Sequence, residues 1–213
     1  MKYISAAITL YFSIAVVQAQ FEKAMGSSIP VIFSSQTSEE LQVVVNKMIR
    51  IGEAEKTRWE PFYYSSYGYI KMAGYEKENE DKDAFFELAL AQANKGLQVD
   101  PANSELVSLK GYVYMLQLTL DPANRAMTYS GKAFQEFNKA VNLDPKNPRA
   151  HYLLGRMQHG TAQFMGSGSE EACKSMATAK ALFASEAKPS NPFAPTWGEK
   201  INLQSIEQIC EGK

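Results

Sequence analysis

The residues best able to do chemistry in this sequence are two histidines and two cysteines. His151 and His159 are eight positions apart and can share a helix face, but they lack the His-Glu-x-x-His pattern of zinc enzymes. A cysteine nucleophile needs a positioned base, and these two histidines are the only ones available. The Gly-Ser run at 166–169 lacks the lysine of a phosphate-binding loop. We therefore expect no catalytic site, no metal site and no cofactor, and we interpret His151 as a hydrogen-bonded core residue.

Cys173 and Cys210 are the only thiols in the chain. Two cysteines commonly pair when a protein is exported to an oxidising compartment. A disulfide between them would join the last helix to the preceding helical unit and close a loop of 37 residues. The sequence favours this bridge, and two buried free thiols are the alternative.

The first nineteen residues have the pattern of a cleavable secretory signal. Lys2 precedes an uncharged, mostly apolar run at 3–17, and Ala19 is a suitable residue before the cut. The run is shorter than the roughly 20 residues that a membrane-spanning helix needs, which disfavours the alternative of a retained anchor. No Asn-x-Ser/Thr acceptor is present, which mildly favours a bacterial periplasm over a eukaryotic route. We expect an exported protein, periplasmic or secreted, with no membrane insertion after cleavage.

Composition indicates a folded, nearly neutral protein. The chain has 22 Lys+Arg against 23 Asp+Glu, and hydrophobic residues make up 45% of its 213 residues. The charge balance argues against nucleic-acid binding by bulk positive charge, and the apolar content argues against wholesale disorder.

An internal repeat of 44 residues runs through the chain. Pro101, Pro145 and Pro189 share this spacing, and an asparagine follows each proline by two positions. Small or apolar residues upstream keep the same register, which is typical of stacked repeat units. Further members of the pattern are Ala89, Ala133, Ala177, Ala93, Phe137, Ala181, Gly96, Ala140, Ala184, Gly111 and Gly155.

Each unit is predicted to contain two helices. The prolines end the second helix, because proline lacks an N–H and clashes with the preceding turn, and the following asparagine can cap the next helix. Gly111 and Gly155 fall inside the first helices, where glycine costs about 1 kcal/mol relative to alanine. Because glycine is unfavourable inside a helix, its presence there indicates that the paired helices approach each other closely at these positions.

The sequence resembles the tetratricopeptide repeat (TPR) family. The run from Ala133 through Phe137 and Ala140 to Pro145 matches the family's A-x3-F-x2-A-x4-P spacing, and Leu154-Gly155 matches its Leu-Gly pair. The family period is 34 residues, whereas this chain has 44, with the excess between the paired helices. Longer hairpins or longer helices would account for it. HEAT-type repeats, with periods of about 40–47, are the structural alternative.

The resemblance implies an all-α, right-handed solenoid. We expect a signal peptide at 1–19, an extended or loose lead-in at 20–37, and a helical repeat domain at 38–213 that begins with an N-terminal helix from Ser38 to about Thr57. The predicted units cover about 61–103, 104–147 and 148–191, and a capping helix at 192–213 closes the open end of the stack, as solenoids require.

The resemblance also implies a concave groove lined by one face of each first helix. Rings at helical spacing are more often core residues, and we expect Trp59, Tyr64 and Tyr67 to be buried. The groove positions that the family pattern assigns to this chain are aromatic and methionine-rich at one end of the groove and basic at the other. They are Phe62, Tyr69, Met72, Tyr112, Met115, Arg149, Tyr152, Arg156 and His159.

Such a groove suits an extended or helical peptide, because tyrosine, methionine and arginine give contact area, adaptability and carboxylate pairing. The function predicted from sequence is a non-catalytic module that binds a protein or peptide. A structural component of an envelope assembly, using the convex face or the inserts, is the alternative, and a small-molecule-binding or hydrolytic protein ranks below it.

Overall fold

The structure is a computed structural model that describes residues 2–186 and 191–212, with side chains described from residue 18. Helix α1 (Lys2–Ser34) shows that the prediction of an extended or loose segment at 20–37 is wrong. The sequence misleads there because Pro30 and a Gly-Ser-Ser run at 26–28 disfavour a helix. Phe21, Met25 and Ile32 compensate by burying one helix face in the core.

Eight further helices follow within the described residues, which contain no strand, so the predicted all-α class is confirmed. They are α2 (Ser38–Ala54), α3 (Glu60–Ala73), α4 (Asn79–Val99), α5 (Ser104–Leu120), α6 (Pro122–Leu143), α7 (Pro148–Met165), α8 (Glu170–Ser185) and α9 (Glu199–Ile209).

The helices form three hairpins that stack side by side. α3 pairs with α4, α5 with α6, and α7 with α8, while α5 also contacts both α3 and α7. The first helices of successive hairpins therefore form one continuous wall. α1 and α2 cover the first hairpin, and α9 packs on α8 at the other end.

The corners between hairpins lie where the prolines predict them. Asn103 caps α5 by accepting a hydrogen bond from the backbone N–H of Leu106 at 3.0 Å. Asn147 caps α7 in the same way, with N–H donors from Arg149 and Ala150. Each cap satisfies backbone donors that the helix start leaves free, which fixes the start of both helices.

The ten residues beyond the family period lengthen the helices. α6 has 22 residues, and only Asp121 separates it from α5. Residues 117–128, where the paired helices meet, are therefore helical except for Asp121, which caps α6 through the N–H of Asn124.

The glycines inside the first helices allow the predicted close approach between paired helices. A Cβ built on Gly111 would lie 2.6 Å from the buried ring of Phe137 in α6. One on Gly155 would lie 2.9 Å from the side chain of Met176 in α8. Glycine thus makes room for a bulky side chain of the paired helix.

The third hairpin departs from the 44-residue register. Ala177 and Ala181 are exposed, and the buried face of α8 instead carries Met176, Ala179 and Phe183. Asn191 caps a turn rather than an α-helix, and Pro189 lies outside the described residues. The last unit has therefore diverged in packing from the two before it.

The C-terminal segment crosses back over the wall of first helices. Asn191 donates to Glu60 at 2.7 Å, and the backbone oxygen of Phe193 accepts a hydrogen bond from the Tyr64 hydroxyl at 3.1 Å. α9 then returns to α8, where Cys173 and Cys210 form a disulfide, as predicted. The chain thus fills the inner face of its own first hairpin.

Within residues 2–186 and 191–212, no helix combines the length and the apolar character that crossing a bilayer requires.

Candidate ligand-binding cavity

A cavity of about 1000 Å³ opens on the inner wall between the second and third hairpins. It is lined by residues of α5, α7 and the first half of α6, together with Tyr67 of α3, Trp197 and Ile201 of α9. The principal lining side chains are aromatic, sulfur-containing or aliphatic, with two basic groups: Tyr67, Tyr112, Met115, Leu116, Met127, Tyr152, Arg156, Met157, His159, Phe164, Met165, Trp197 and Ile201.

Trp197 forms an aromatic wall of this cavity together with Tyr67. Their ring centroids are 5.5 Å apart, and the indole N–H donates to the hydroxyl of Tyr63 at 2.8 Å. Gly198 follows with φ +118°, a conformation that side chains disfavour, and this turn leads directly into α9. The tryptophan is therefore held in place by the first hairpin and by the cap.

Tyr67 and Tyr112 on the cavity wall remain neutral phenols at physiological pH. Burial raises the pKa of Tyr67 well above its ordinary value, and the neighbouring Tyr112 and Tyr152 act in the same direction. Burial also raises the pKa of Tyr112. The wall thus offers ring faces and uncharged hydroxyls to a ligand.

Arg156 is the cationic group of the cavity. It is exposed, it donates a long hydrogen bond of 3.4 Å to the Tyr152 hydroxyl, and it forms no salt bridge within the described part of the chain. A guanidinium without a carboxylate partner, placed beside an apolar cavity, suits the carboxylate of a ligand.

His159 lies one turn after Arg156 and is half-buried. Its Nδ1 is 2.9 Å from the Ser169 hydroxyl, in the turn that leads into α8. Burial lowers the pKa of His159, and the positive charge of Arg156 lowers it further. The imidazole is therefore favoured in its neutral form, in which one ring nitrogen carries a lone pair.

Large apolar side chains extend from the cavity to the surface at its rim. Met127 is 97% exposed, Phe164 71% and Met165 73%. They line the cavity opening, so its apolar character continues outward beyond the enclosed space.

The sequence-predicted groove residues divide into two groups. Tyr112, Met115, Tyr152, Arg156 and His159 line the cavity. The other four are buried away from it: Phe62, Tyr69, Met72 and Arg149.

The four buried residues serve packing and internal pairing. Phe62 lies against Gly52 and Gly96 in the helices beside it, and Tyr69 stacks on Phe85 of α4. Arg149 is an internal cation bonded to Glu105 and Glu186. These side chains are not accessible to a partner in this structure.

Sequence reasoning missed the cavity residues outside the repeat register. Tyr67 was expected in the core but is half-buried on the cavity wall, and Trp197 and Ile201 were assigned only to the cap. Of the other expected core rings, Tyr64 is buried and Trp59 is half-buried. Nothing in the sequence shows that the segment before α9 crosses the inner wall.

His151 lies outside the cavity. It is half-buried rather than in the core, so its expected core position is wrong, but its Nε2 is 3.0 Å from the backbone oxygen of Pro145, which is the expected hydrogen bond.

The fold is similar to that of known proteins, although sequence comparison finds little. No family model and no curated protein matches this chain. The HusA haemophore from Porphyromonas gingivalis is 25% identical, with a TM-score of 0.79 over 91% of this chain and 94% of that one.

The likeness extends to an established repeat protein. A thermophilic TPR protein from Thermus thermophilus, TTC0263, is 15% identical with a TM-score of 0.52, covering 97% of this chain and 96% of that one. The chain therefore has a tetratricopeptide-like fold, an α-solenoid of three helix hairpins crossed by its own C-terminal segment.

Proposed function

We propose that this protein is a non-catalytic carrier that binds a porphyrin, such as haem, in the cavity between α5, α6 and α7. The observation that carries the proposal is the pairing of a large aromatic, methionine-rich cavity with Arg156, which has no salt-bridge partner among the described residues. A porphyrin has the matching chemistry, because its flat apolar ring bears carboxylates along one edge.

The size and composition of the cavity support a ligand of this class. Small-molecule sites usually enclose about 300–1000 Å³ and are mostly apolar with a few polar groups, so this cavity suits a large ligand. Tyr112 and Trp197 offer ring faces for stacking, and Met115 and Met157 adapt their shape to the ligand surface.

The likeness to the HusA haemophore gives independent support. It covers nearly the whole of both chains at 25% identity. Because folds of one type serve many functions, the cavity chemistry rather than the fold carries the proposal.

Titration of the purified protein with haem and with metal-free protoporphyrin tests it. We expect saturable binding of both to the wild type. The double variant Tyr112→Ala, Arg156→Gln should bind each about 10-fold more weakly or worse, since it loses a stacking surface and a charged hydrogen bond. This variant removes one tyrosine and one cation, both from the cavity.

The matched control removes the same groups from outside the cavity. Tyr129→Ala, Lys132→Gln deletes a tyrosine and a cation 5.2 Å apart on α6. It should bind both porphyrins like the wild type. Equal losses in the two double variants, or no saturable binding by the wild type, would contradict the proposal.

A protein or peptide partner is the second candidate, and the rim favours it. Met127, Phe164 and Met165 are large apolar side chains that remain exposed at the cavity opening, and exposed apolar patches often mark partner-binding sites. Wild-type protein that binds no porphyrin, but captures a protein which the Tyr112/Arg156 variant loses, would establish this function instead. A structural role in an envelope assembly would instead use the convex face or the segments between paired helices. In that case the Tyr112/Arg156 variant should still capture the partner protein.

We also propose export, with cleavage after Ala19 and a location in the periplasm or outside the cell. The disulfide supports an oxidising compartment. Residues 18–20 are exposed, and Phe21 is the first buried side chain described, so the cut would leave the described core intact. N-terminal sequencing of the exported protein, with Gln20 expected as the first residue, tests this proposal.

A further inference from the structure

We propose that Tyr63 is a positioning residue for ligand binding: its hydroxyl, outside the cavity, fixes the orientation of the Trp197 indole in the cavity wall. This inference rests on the proposed porphyrin-binding function. It gives the first hairpin a part in binding, although only Tyr67 of that hairpin belongs to the described cavity lining.

The first support is the hydrogen bond between the two side chains. The indole Nε1–H of Trp197 donates to the Tyr63 hydroxyl at 2.8 Å. An indole has a single polar group, which can only donate, so this one bond determines how the ring is turned about its side-chain torsions. Tyr63 is 1% exposed, so water does not compete for its hydroxyl.

The second support is the rigidity of the acceptor. The Tyr63 ring meets Trp59 and Tyr64 edge to face, with centroid distances of 6.0 Å and 5.3 Å. Such ring contacts restrict the side chain beyond the effect of burial alone. The hydroxyl therefore stays at one place relative to α3 and serves as a fixed acceptor for the indole.

The third support is that other residues hold the backbone at Trp197. The Arg149 guanidinium donates to the Trp197 backbone oxygen at 3.2 Å. A Cβ built on Gly198 would lie 2.6 Å from the ring of Phe183 in α8, so the chain there is closely packed. Loss of the Tyr63 hydroxyl would thus leave the path of the segment in place and release only the indole.

The oriented indole extends the aromatic surface that a flat ligand would contact. Trp197 and Tyr67 both line the cavity, with ring centroids 5.5 Å apart and ring planes 35° apart. An indole already held in this orientation loses less conformational freedom on binding than a mobile one, and such preorganisation raises affinity. Without the Tyr63 hydroxyl, the indole N–H loses its acceptor, and the ring must turn to reach water or another group.

Titration with metal-free protoporphyrin compares the wild type with Tyr63→Phe, which removes only the hydroxyl. We expect binding about 3–10-fold weaker, the range that one lost hydrogen bond produces.

The matched control is Tyr64→Phe. Tyr64 is the next residue of α3 and is 2% exposed, and its hydroxyl donates to the Phe193 backbone oxygen at 3.1 Å in the same C-terminal segment. Because that bond holds the backbone rather than the indole, the control should bind protoporphyrin like the wild type.

Nuclear magnetic resonance reports on the indole directly. The chain has two tryptophans, so Trp59→Phe assigns the Nε1–H signal of Trp197. We expect this proton to be protected from exchange with solvent in the wild type and in Tyr64→Phe, and to lose that protection in Tyr63→Phe. Circular dichroism should show the same helix content in all three proteins.

A double-mutant cycle shows whether Tyr63 acts through the indole. Trp197→Phe keeps an aromatic ring in the wall but has no N–H, so its binding should be weaker yet measurable. Adding Tyr63→Phe to this variant should cause no further loss, because the group that Tyr63 positions is already gone.

An undiminished further loss in the cycle would overturn the inference. So would unchanged binding by Tyr63→Phe, equal losses in Tyr63→Phe and Tyr64→Phe, or continued protection of the Trp197 proton in Tyr63→Phe. In those cases porphyrin binding stands. Wild-type protein that binds no protoporphyrin contradicts the proposed function itself and, with it, the role of Tyr63 in binding.

Discussion

Arg149 shows how a residue expected at a binding surface becomes part of the core. Its side chain is 4% exposed and contacts two carboxylates, Glu105 at 2.8 Å and Glu186 at 2.6 Å. Its guanidinium also donates to the backbone oxygen of Trp197 at 3.2 Å. Burial raises the pKa of Glu105, and the charge of Arg149 acts in the opposite direction. This network joins α5 and α7 to the segment that carries the cavity tryptophan.

Removing Arg149 alone should be strongly destabilising. Arg149→Met leaves Glu105 buried without its cation, and breaking a buried pair in this way costs about 3–5 kcal/mol. The double variant Arg149→Met, Glu105→Gln should recover much of that loss, because only Glu186, whose side chain is 33% exposed, then lacks its cation. Urea denaturation measures the free energy of unfolding of each variant.

An exposed ion pair provides the control for this prediction. Lys174 and Glu171 are both more than 70% exposed, so Lys174→Met should leave the unfolding midpoint unchanged within error. A small effect of Arg149→Met, similar to that of Lys174→Met, would show that the buried network contributes little to stability.

The family resemblance identified part of the cavity and misplaced the rest. Tyr112, Arg156 and His159 are groove positions that the resemblance implies, and they line the cavity. Arg149 has the same chemistry as Arg156, but Glu105 lies opposite it from 44 positions earlier. Pairing between units decides which arginine is free, and a single helix face does not reveal that.

At the level of elements, helix boundaries depend on the side chains that satisfy backbone groups. Asn103 and Asn147 cap α5 and α7 at the positions the sequence predicts, because a local hydrogen bond fixes each helix start. The register of α8 and the helical state of α1 are not fixed by such a local hydrogen bond. Both depend on burial against other helices, which outweighs their own sequence preferences.

The mid-helix glycines test whether close packing outweighs helix propensity. Gly111→Ala gains about 1 kcal/mol of propensity but drives a methyl group into the buried ring of Phe137, and such overpacking costs about 1–3 kcal/mol. We expect net destabilisation of up to about 2 kcal/mol. Thermal and urea unfolding measure it.

Gly131 in α6 provides the matched control, because nothing lies within 4 Å of a Cβ built there. Gly131→Ala should stabilise the protein by up to about 1 kcal/mol through propensity alone. If Gly111→Ala stabilises as much as Gly131→Ala, the ring of Phe137 moves freely and the proposed reason for the glycine is wrong.

For the whole molecule, the sequence predicts the stack of hairpins but not the path of its C-terminal segment. The 44-residue period, the corner prolines and the cap asparagines are enough to predict the solenoid. The crossing of residues 191–198 over the inner wall depends on contacts between positions more than 120 apart, such as Tyr64 with Phe193. That crossing lies over the first hairpin, and the cavity is lined mainly by the other two hairpins, with Tyr67 from the first.

The disulfide is expected to couple the stability of the stack to the shape of the cavity. It joins α8 to the end of α9 across 37 residues, and the closed loop contains both Trp197 and Ile201, which line the cavity. The chain-entropy estimate for a loop of this length is about 3–4 kcal/mol. Cys173→Ser, Cys210→Ser should therefore lower the free energy of unfolding by about this amount and weaken porphyrin binding, since Trp197 is held less firmly.

A reductant separates the effect of the bridge from that of the substitutions. Reduction of the wild type should lower its unfolding midpoint to that of the double variant, whereas the variant should not respond to reductant. Preserved stability with weakened porphyrin binding would mean that the bridge orders the cap locally without supporting the stack. Loss of stability with unchanged binding would show that Tyr63, through its 2.8 Å hydrogen bond, holds Trp197 without help from α9.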